Sequence, residues 1–486
     1  MARRRFFQLL FYLFSPALLF GAADKTARGV HYRLEISSPE THAVEVTMTV
    51  PDATDETVIA FPAWYGLYQI RDFVRNVQNL KARCGREPRR LIPLDRHSWK
   101  LGGGDCPALE IRYRVLAEEE TVFSSYVGPR RGFLNPATLL FHSSGFRKGE
   151  SDRPVTLKFV LPEGWKAAMP LPEVRRAVFR ASSYDELADS PAELGFFAEY
   201  GYRQKGALYR LVVSADSDPP AEEQILPMVK TITRYQTRLM EDVPFSRFTF
   251  FLHFAKGRGS GGMEHRNAAA VSFNRRWVRS RKADLASLIA HEFFHLWNAK
   301  RIRPVSLGPP DYWREKYTDS LWFLEGLTST YASYTLVRTG LISRRVFYDR
   351  LARTIGKTEL RPAARFQSLT GSSLSAWLEK YPKYRLPERS ISYYFKGEVV
   401  GVLLDLAIRR RTGNRRSLDD VLRAMNREFG RPNRSFEETA ELRRVVGEVA
   451  GASFEDFFDR YIYGTEPLPY RKFFGYVGLE LQFDAS

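Results

Sequence analysis

Two apolar stretches, each interrupted by a single carboxylate, constrain this chain more than any other feature. From Leu285 to Ala299 it reads LASLIAHEFFHLWNA, and the only formal charge between Asp284 and Lys300 is Glu292. From Ser320 to Val337 it reads SLWFLEGLTSTYASYTLV, with Glu325 as the sole charge. A helix that is apolar on all sides is buried. A buried carboxylate is costly unless something positive compensates it. Any fold of this chain must bring both carboxylates inside and supply that charge.

The first stretch carries part of the answer. His291-Glu292-Phe293-Phe294-His295 places two imidazoles at i and i+4, on one helix face, where both can reach one metal ion. Glu292, one residue on from the first histidine, can reach a water beside the metal instead. A catalytic zinc site needs three protein ligands and one open position. Glu325 is the third ligand that the sequence favours. Asp311, Glu315 and Asp319 are weaker candidates because their surroundings are polar, and His265 is a less natural one. The competing reading is structural: histidines satisfied by backbone carbonyls, and Glu325 ion-paired with Arg301 or Arg303.

Around this site the chain is large and basic. It has 486 residues, 44% of them hydrophobic, which excludes wholesale disorder. Two cysteines exclude a disulfide-rich scaffold and a four-cysteine zinc site. Residues 1–23 read as an export signal: Arg3, Arg4 and Arg5, an apolar run from Phe6 to Phe20, then Gly21-Ala22-Ala23. The run is short for a membrane span, so a retained signal anchor is the second choice. The protein is expected in the periplasm or outside the cell. There Cys84 and Cys106 are expected to pair, closing a loop of about 20 residues worth about 3 kcal/mol. The formal charge of +18 falls to +15 when the three signal arginines leave.

Period-two alternation runs through the first half: Val44, Val46, Met48 and Val50; Leu109, Ile111, Tyr113 and Val115; Val155, Leu157, Phe159 and Leu161. It predicts half-buried antiparallel strands in a β-sandwich-like domain over residues 24–214. From Ala221 the period turns helical through Ile225, Val229, Ile232 and Leu239. A strand is expected from Arg247 to Phe254, then a Gly-rich loop, then mostly helix to about residue 462. Residues 215–470 are expected to form the second domain and 471–486 a C-terminal tail. Gly261 and Gly262 leave room for a substrate backbone, and the residues after them suit an edge strand to which an extended peptide could add.

HEFFH followed by Leu-Trp-Asn-Ala-Lys-Arg-Ile-Arg-Pro, with Trp322-Phe-Leu-Glu-Gly-Leu-Thr328 beyond it, resembles the glycyl aminopeptidase family of zinc metallopeptidases, gluzincins related to aminopeptidase N. Gly261-Gly262-Met263-Glu264-His265 resembles the motif that binds the substrate amino terminus, with His265 where aminopeptidase N has Asn. Ile391-Ser-Tyr-Tyr-Phe-Lys-Gly397 resembles the segment carrying the catalytic tyrosine. Trp64–Phe73 and Tyr184–Gly195 resemble the N-terminal domain, although Trp64-Tyr65-Gly66 lacks the expected Pro-Gly turn.

The resemblance implies an α+β chain, a β-sandwich-like domain followed by a mostly helical thermolysin-like peptidase domain. It implies Zn²⁺ on His291, His295 and Glu325, Glu292 as general base, and Tyr394 as oxyanion stabiliser. It implies Glu264 on the α-ammonium of a peptide with a free amino terminus, lined by Gly261, Gly262 and Met263, and a preference for N-terminal Gly or Ala. Members of the family often carry a C-terminal PDZ-like domain; the sequence ends at Ser486, and that module is expected to be absent.

Two other functions fit parts of the sequence. One is a thermolysin-like endopeptidase, against which Glu264 argues. The other is a catalytically silent, basic envelope-binding protein with a structural zinc, which would need none of Glu292, Tyr394 and Glu264. Nucleic acid is not an expected partner, because the arginines are dispersed and no nucleic-acid motif occurs. The basic excess instead suits an anionic envelope surface or acidic peptides.

Overall fold

The computed structural model describes residues 29–66, 68–144, 153–215, 220, 222–255, 259–378 and 386–482. The expected signal, residues 1–23, lies outside them. The alternating strands form as their patterns require. In Ala43–Ala53 the residues Val44, Val46, Met48 and Val50 are buried. In Cys106–Leu116 the residues Leu109, Ile111, Tyr113 and Val115 are buried against them. These strands belong to an eleven-stranded sheet, beside which runs a four-stranded one. Most pairings are antiparallel, but Val30–Glu35 pairs with Val155–Val160 in parallel. Alternation alone could not reveal this, because it is the same in both kinds of ladder. Cys84 and Cys106 are joined, with Sγ atoms 2.05 Å apart and Cα atoms 5.8 Å apart.

A five-stranded sheet follows, in the order Ala198–Gln204, Ala207–Ala215, Arg247–Ala255, Ala268–Asn274, Gly261–Glu264. Its first two strands were expected to close the N-terminal domain. Ala198–Gln204 pairs with Ala207–Ala215, which pairs in turn with Arg247–Ala255, so the change of sheet falls before Ala198 rather than at residue 214. The sheet is buried on both faces, and alternate side chains enter different cores. Leu211, Val213, Phe250, Ala269 and Val271 pack with the helices. Val212, Phe251, Ala268 and Ala270 pack with the N-terminal domain. A strand as continuously apolar as RFTFFLHFA answers to that two-sided burial.

Behind the sheet the chain is mostly helical. Glu222–Leu239 buries Ile225, Val229, Ile232 and Leu239, the predicted face. The expected C-terminal tail is partly helix: Tyr470–Gly475 folds back and buries Phe473 and Phe474 in the large core. No helix among the described residues is long and apolar enough to cross a membrane.

The disulfide closes a 22-residue separation within the first sheet. Replacing both cysteines by serine should lower unfolding free energy by about 3 kcal/mol, read from the denaturant midpoint.

Candidate metal centre and active-site cleft

The HEFFH helix spans Lys282–Phe294, with His295 as its C-terminal cap. It was expected to continue to Ala299. Beyond His295 the chain forms a turn, on which the side chain of Arg301 folds back. That guanidinium, 5% exposed, donates to the carbonyls of Leu296 (2.8 Å), Arg266 (3.0 Å) and Pro244 (3.0 Å). The carbonyl of Leu296, which a longer helix would satisfy internally, is satisfied by a side chain instead. Ala299 turns the chain at φ 104°, a region costly for any residue but glycine.

The turn orients His295. His295 Nδ1 lies 2.8 Å from Asn298 O, which directs Nε2 into the cleft. Asn298 Nδ2 donates to Phe323 O (2.9 Å) and Thr328 Oγ1 (3.0 Å), tying this turn to the segment that carries Glu325. That segment, Trp322–Leu327, is a π-helical turn. Such turns re-aim a side chain within a helix and recur at functional sites. His291 Nδ1 has Ser329 Oγ at 3.4 Å, from the turn after Glu325.

Three donor atoms converge. His291 Nε2 and His295 Nε2 are 3.0 Å apart, and each is 3.3 Å from Glu325 Oε2. Tetrahedral zinc bound at 2.0–2.1 Å holds its ligand atoms about 3.3 Å from one another. Two imidazoles and one carboxylate in a buried setting match zinc in donor type, number and spacing. Glu264, Glu292 and His295 form a second close group, with ligand atoms within 4.8 Å of one another. The other sequence candidates lie elsewhere. His265 faces Asp189. Asp311 accepts from Trp313 N, Asp319 from Thr439 N, and Glu315 is exposed.

Electrostatics mark the same cluster. Burial, first of all, pushes the Glu292 carboxyl well above the usual range, with Glu264 and Glu325 adding to it. Burial also lowers the His291 imidazole. For His295 burial acts downward, but the charge of Glu325 outweighs it and raises the group to about 10. Burial works to raise Glu325, yet the two imidazoles hold its carboxyl below the usual range.

Alternation in the edge strand Gly261–Glu264 sends Met263 into the N-terminal core and leaves Gly262 facing the HEFFH helix. A Cβ on Gly262 would lie 2.2 Å from Glu292 Oε1, so any larger residue there must displace the Glu292 side chain. A second close approach sets the opposite wall. A Cβ on Gly326 would stand 2.5 Å from Gly397 Cα, in the helix Tyr393–Arg411. This contact brings Tyr394 over His291, ring centroids 6.3 Å apart and planes 26° from parallel. Tyr393 stacks on Tyr394 at 4.9 Å, and both line a cleft of about 560 Å³ with the histidines, Glu292, Glu325 and Gly261–Glu264.

Other residues of the site escaped the sequence reading. Gly66, Tyr68 and Phe123 give the cleft a wall from the N-terminal domain. Asp189 holds that domain to the edge strand: it accepts from Tyr65 Oη, Arg266 N (2.8 Å) and Lys300 Nζ (3.1 Å), and faces His265 Nδ1 (3.2 Å). Burial works to raise its carboxyl, but Lys300 and His265 hold it below the usual range. Asp189 stands in the polar string Tyr184–Gly195, where one acid among several carries no signal.

Residues 31–196 match the Peptidase M61 N-terminal domain, and residues 284–400 match the M61 glycyl aminopeptidase domain. The chain belongs to the M61 glycyl aminopeptidase family. The N-terminal match ends at the point where sheet membership changes. His291, Glu292, His295, Glu325 and Tyr394 lie within the second match, and Glu264 lies in neither. Among solved structures the chain is similar to an aminopeptidase N family protein from Idiomarina loihiensis, with 27% identity and a TM-score of 0.86, covering 92% of this chain and 78% of that one. It shares its fold with an M1 zinc metallopeptidase from Deinococcus radiodurans, at 13% identity and a TM-score of 0.54, covering 91% of this chain and 95% of that one. A variant of the latter, bound to a Tyr-Ser-Ala substrate, is similar to the same degree. No curated protein matches.

The contact at Gly262 yields a test. Gly262→Ala should displace the Glu292 carboxylate by about 1 Å and lower kcat about a hundredfold, with bound zinc unchanged by elemental analysis.

Proposed function

We propose that this M61-family peptidase is a zinc-dependent aminopeptidase that hydrolyses the first bond of peptides, favouring small N-terminal residues such as Gly and Ala. The observation that carries the reading is Glu264. It is a carboxylate outside the trio of donor atoms, yet within 4.8 Å of Glu292 and His295. A third acid so close to the reacting centre suits the α-ammonium of a substrate's first residue. It has no evident use in an endopeptidase or in a structural zinc site.

His291, His295 and Glu325 would hold zinc, which in that cradle supplies Lewis acidity to the scissile carbonyl and to the attacking water. Glu292, buried but outside the trio, would take the proton of that water and deliver it to the leaving amine. Tyr394 would donate to the oxygen on which negative charge develops. The edge strand would pair with the substrate backbone, and Gly262 lets it approach. Met263 would support this strand from below, seated in the N-terminal core. Export is part of this reading, in keeping with the Cys84–Cys106 bridge, and the basic excess would favour anionic surfaces of the envelope.

Glu292→Gln should keep zinc while kcat falls about 10²–10⁴-fold. Tyr394→Phe should likewise keep zinc and lower kcat about 10²–10³-fold. A peptide with a free amino terminus should be cleaved and its N-acetylated form left intact, as followed by chromatography; equal cleavage of the two would contradict aminopeptidase action.

A further inference from the structure

The cleft has polarity beyond the metal centre. The edge strand pairs Glu264 with Ala269 and Gly261 with Ser272, so Phe273 and the turn Arg275–Trp277 lie past its Gly261 end. The HEFFH helix gives the same order, lining the cleft with His295, His291, Leu288, Ser287 and Asp284 toward its N-terminus at Arg281. Glu264 therefore stands at one end of the cleft, and Arg281 and Arg350 stand at the other. Arg350 is paired with Asp284. Arg281 is exposed, lies 4.3 Å over the Trp277 ring, and has no ion pair among the described residues. It belongs to a run of five cations, Arg275, Arg276, Arg279, Arg281 and Lys282, without an intervening acid.

We infer that this end of the cleft receives a carboxylate on the leaving part of the substrate, so that the preferred peptides carry an anionic group a few residues beyond the scissile bond. The inference rests on the aminopeptidase reading. A peptide whose ammonium sits at Glu264 and which adds antiparallel to the edge strand runs toward Gly261, and so toward Arg281. Ten residues of helix separate His291 from Arg281, about 15 Å, which four or five extended residues span at most. Arg281 itself lines the cleft, within that span. The stacked Trp277 holds its guanidinium in place, and such a fork suits a carboxylate. The anion is either the terminal carboxylate of a peptide of about three to five residues or an acidic side chain in a longer one.

The test compares tetra-alanine as free acid, as C-terminal amide, and as an amide with glutamate at the third position, using the full-length zinc-loaded enzyme at low salt. Wild type should show a kcat/KM about five- to tenfold higher for the free acid than for the amide, carried by KM. Arg281→Gln should bring the ratio close to unity, and Arg281→Lys should keep most of it. Faster cleavage of the glutamate amide than of the plain amide would show that side-chain carboxylates also serve; no gain would restrict the site to the terminal carboxylate. Equal cleavage of acid and amide by wild type would overturn this inference and leave the aminopeptidase reading standing. So would a preference that survives in Arg281→Gln. Failure to cleave any of these free-amine peptides would sink both.

Discussion

Two imidazoles and two carboxylates meet on the inner wall of one cleft. Glu292 is 5% exposed and Glu325 7%, on segments whose other side chains are almost all apolar. Such a cluster is costly unless a cation holds it together. Its surroundings are built to keep it in one geometry. Asn298 ties the turn after His295 to the Glu325 segment. The glycine pair Gly326 and Gly397 lets the Tyr394 helix approach until backbones touch, and Gly262 leaves room for Glu292.

The five-stranded sheet explains why a peptidase site of this kind needs its β-rich partner. Because alternate side chains enter two different cores, the sheet could not stay dry without the N-terminal domain on its outer face. That domain also closes the cleft with Gly66, Tyr68 and Phe123, and it is fastened beside Glu264 through Asp189. The edge strand is thus held from both sides, Met263 in one core and Gly262 against the HEFFH helix.

The parts legible in the sequence were those in which a local pattern has one physical solution. Alternating Val44 to Val50 had to be a strand, and a lone Glu325 among apolar residues had to meet something positive. The parts that were not legible depend on distant chain. Leu296 and Trp297 continue an apolar helical pattern, but distant partners hold the turn that follows His295: Arg301 bonds Leu296 O, and Asn298 bonds Phe323 O and Thr328 Oγ1. The strand Ala198–Gln204 alternates like any hairpin strand, and nothing local says which sheet it joins. The parallel pairing of Val30–Glu35 was hidden for the same reason. Asp189 looked like one acid of a polar string because its partners, Lys300 and Arg266, lie far along the chain. The basic excess is diffuse in composition, yet one of its denser runs, Arg275 to Lys282, falls at the end of the cleft away from Glu264.

The account depends on the trio His291, His295 and Glu325 being a zinc site. Elemental analysis of the purified protein beside Glu325→Ala decides this most directly. Close to one equivalent of zinc is expected in the wild type and a large loss in the variant, with the fold retained by circular dichroism. A wild type that purifies without zinc and does not take it up, or a Glu325→Ala variant that keeps its full complement, would contradict it.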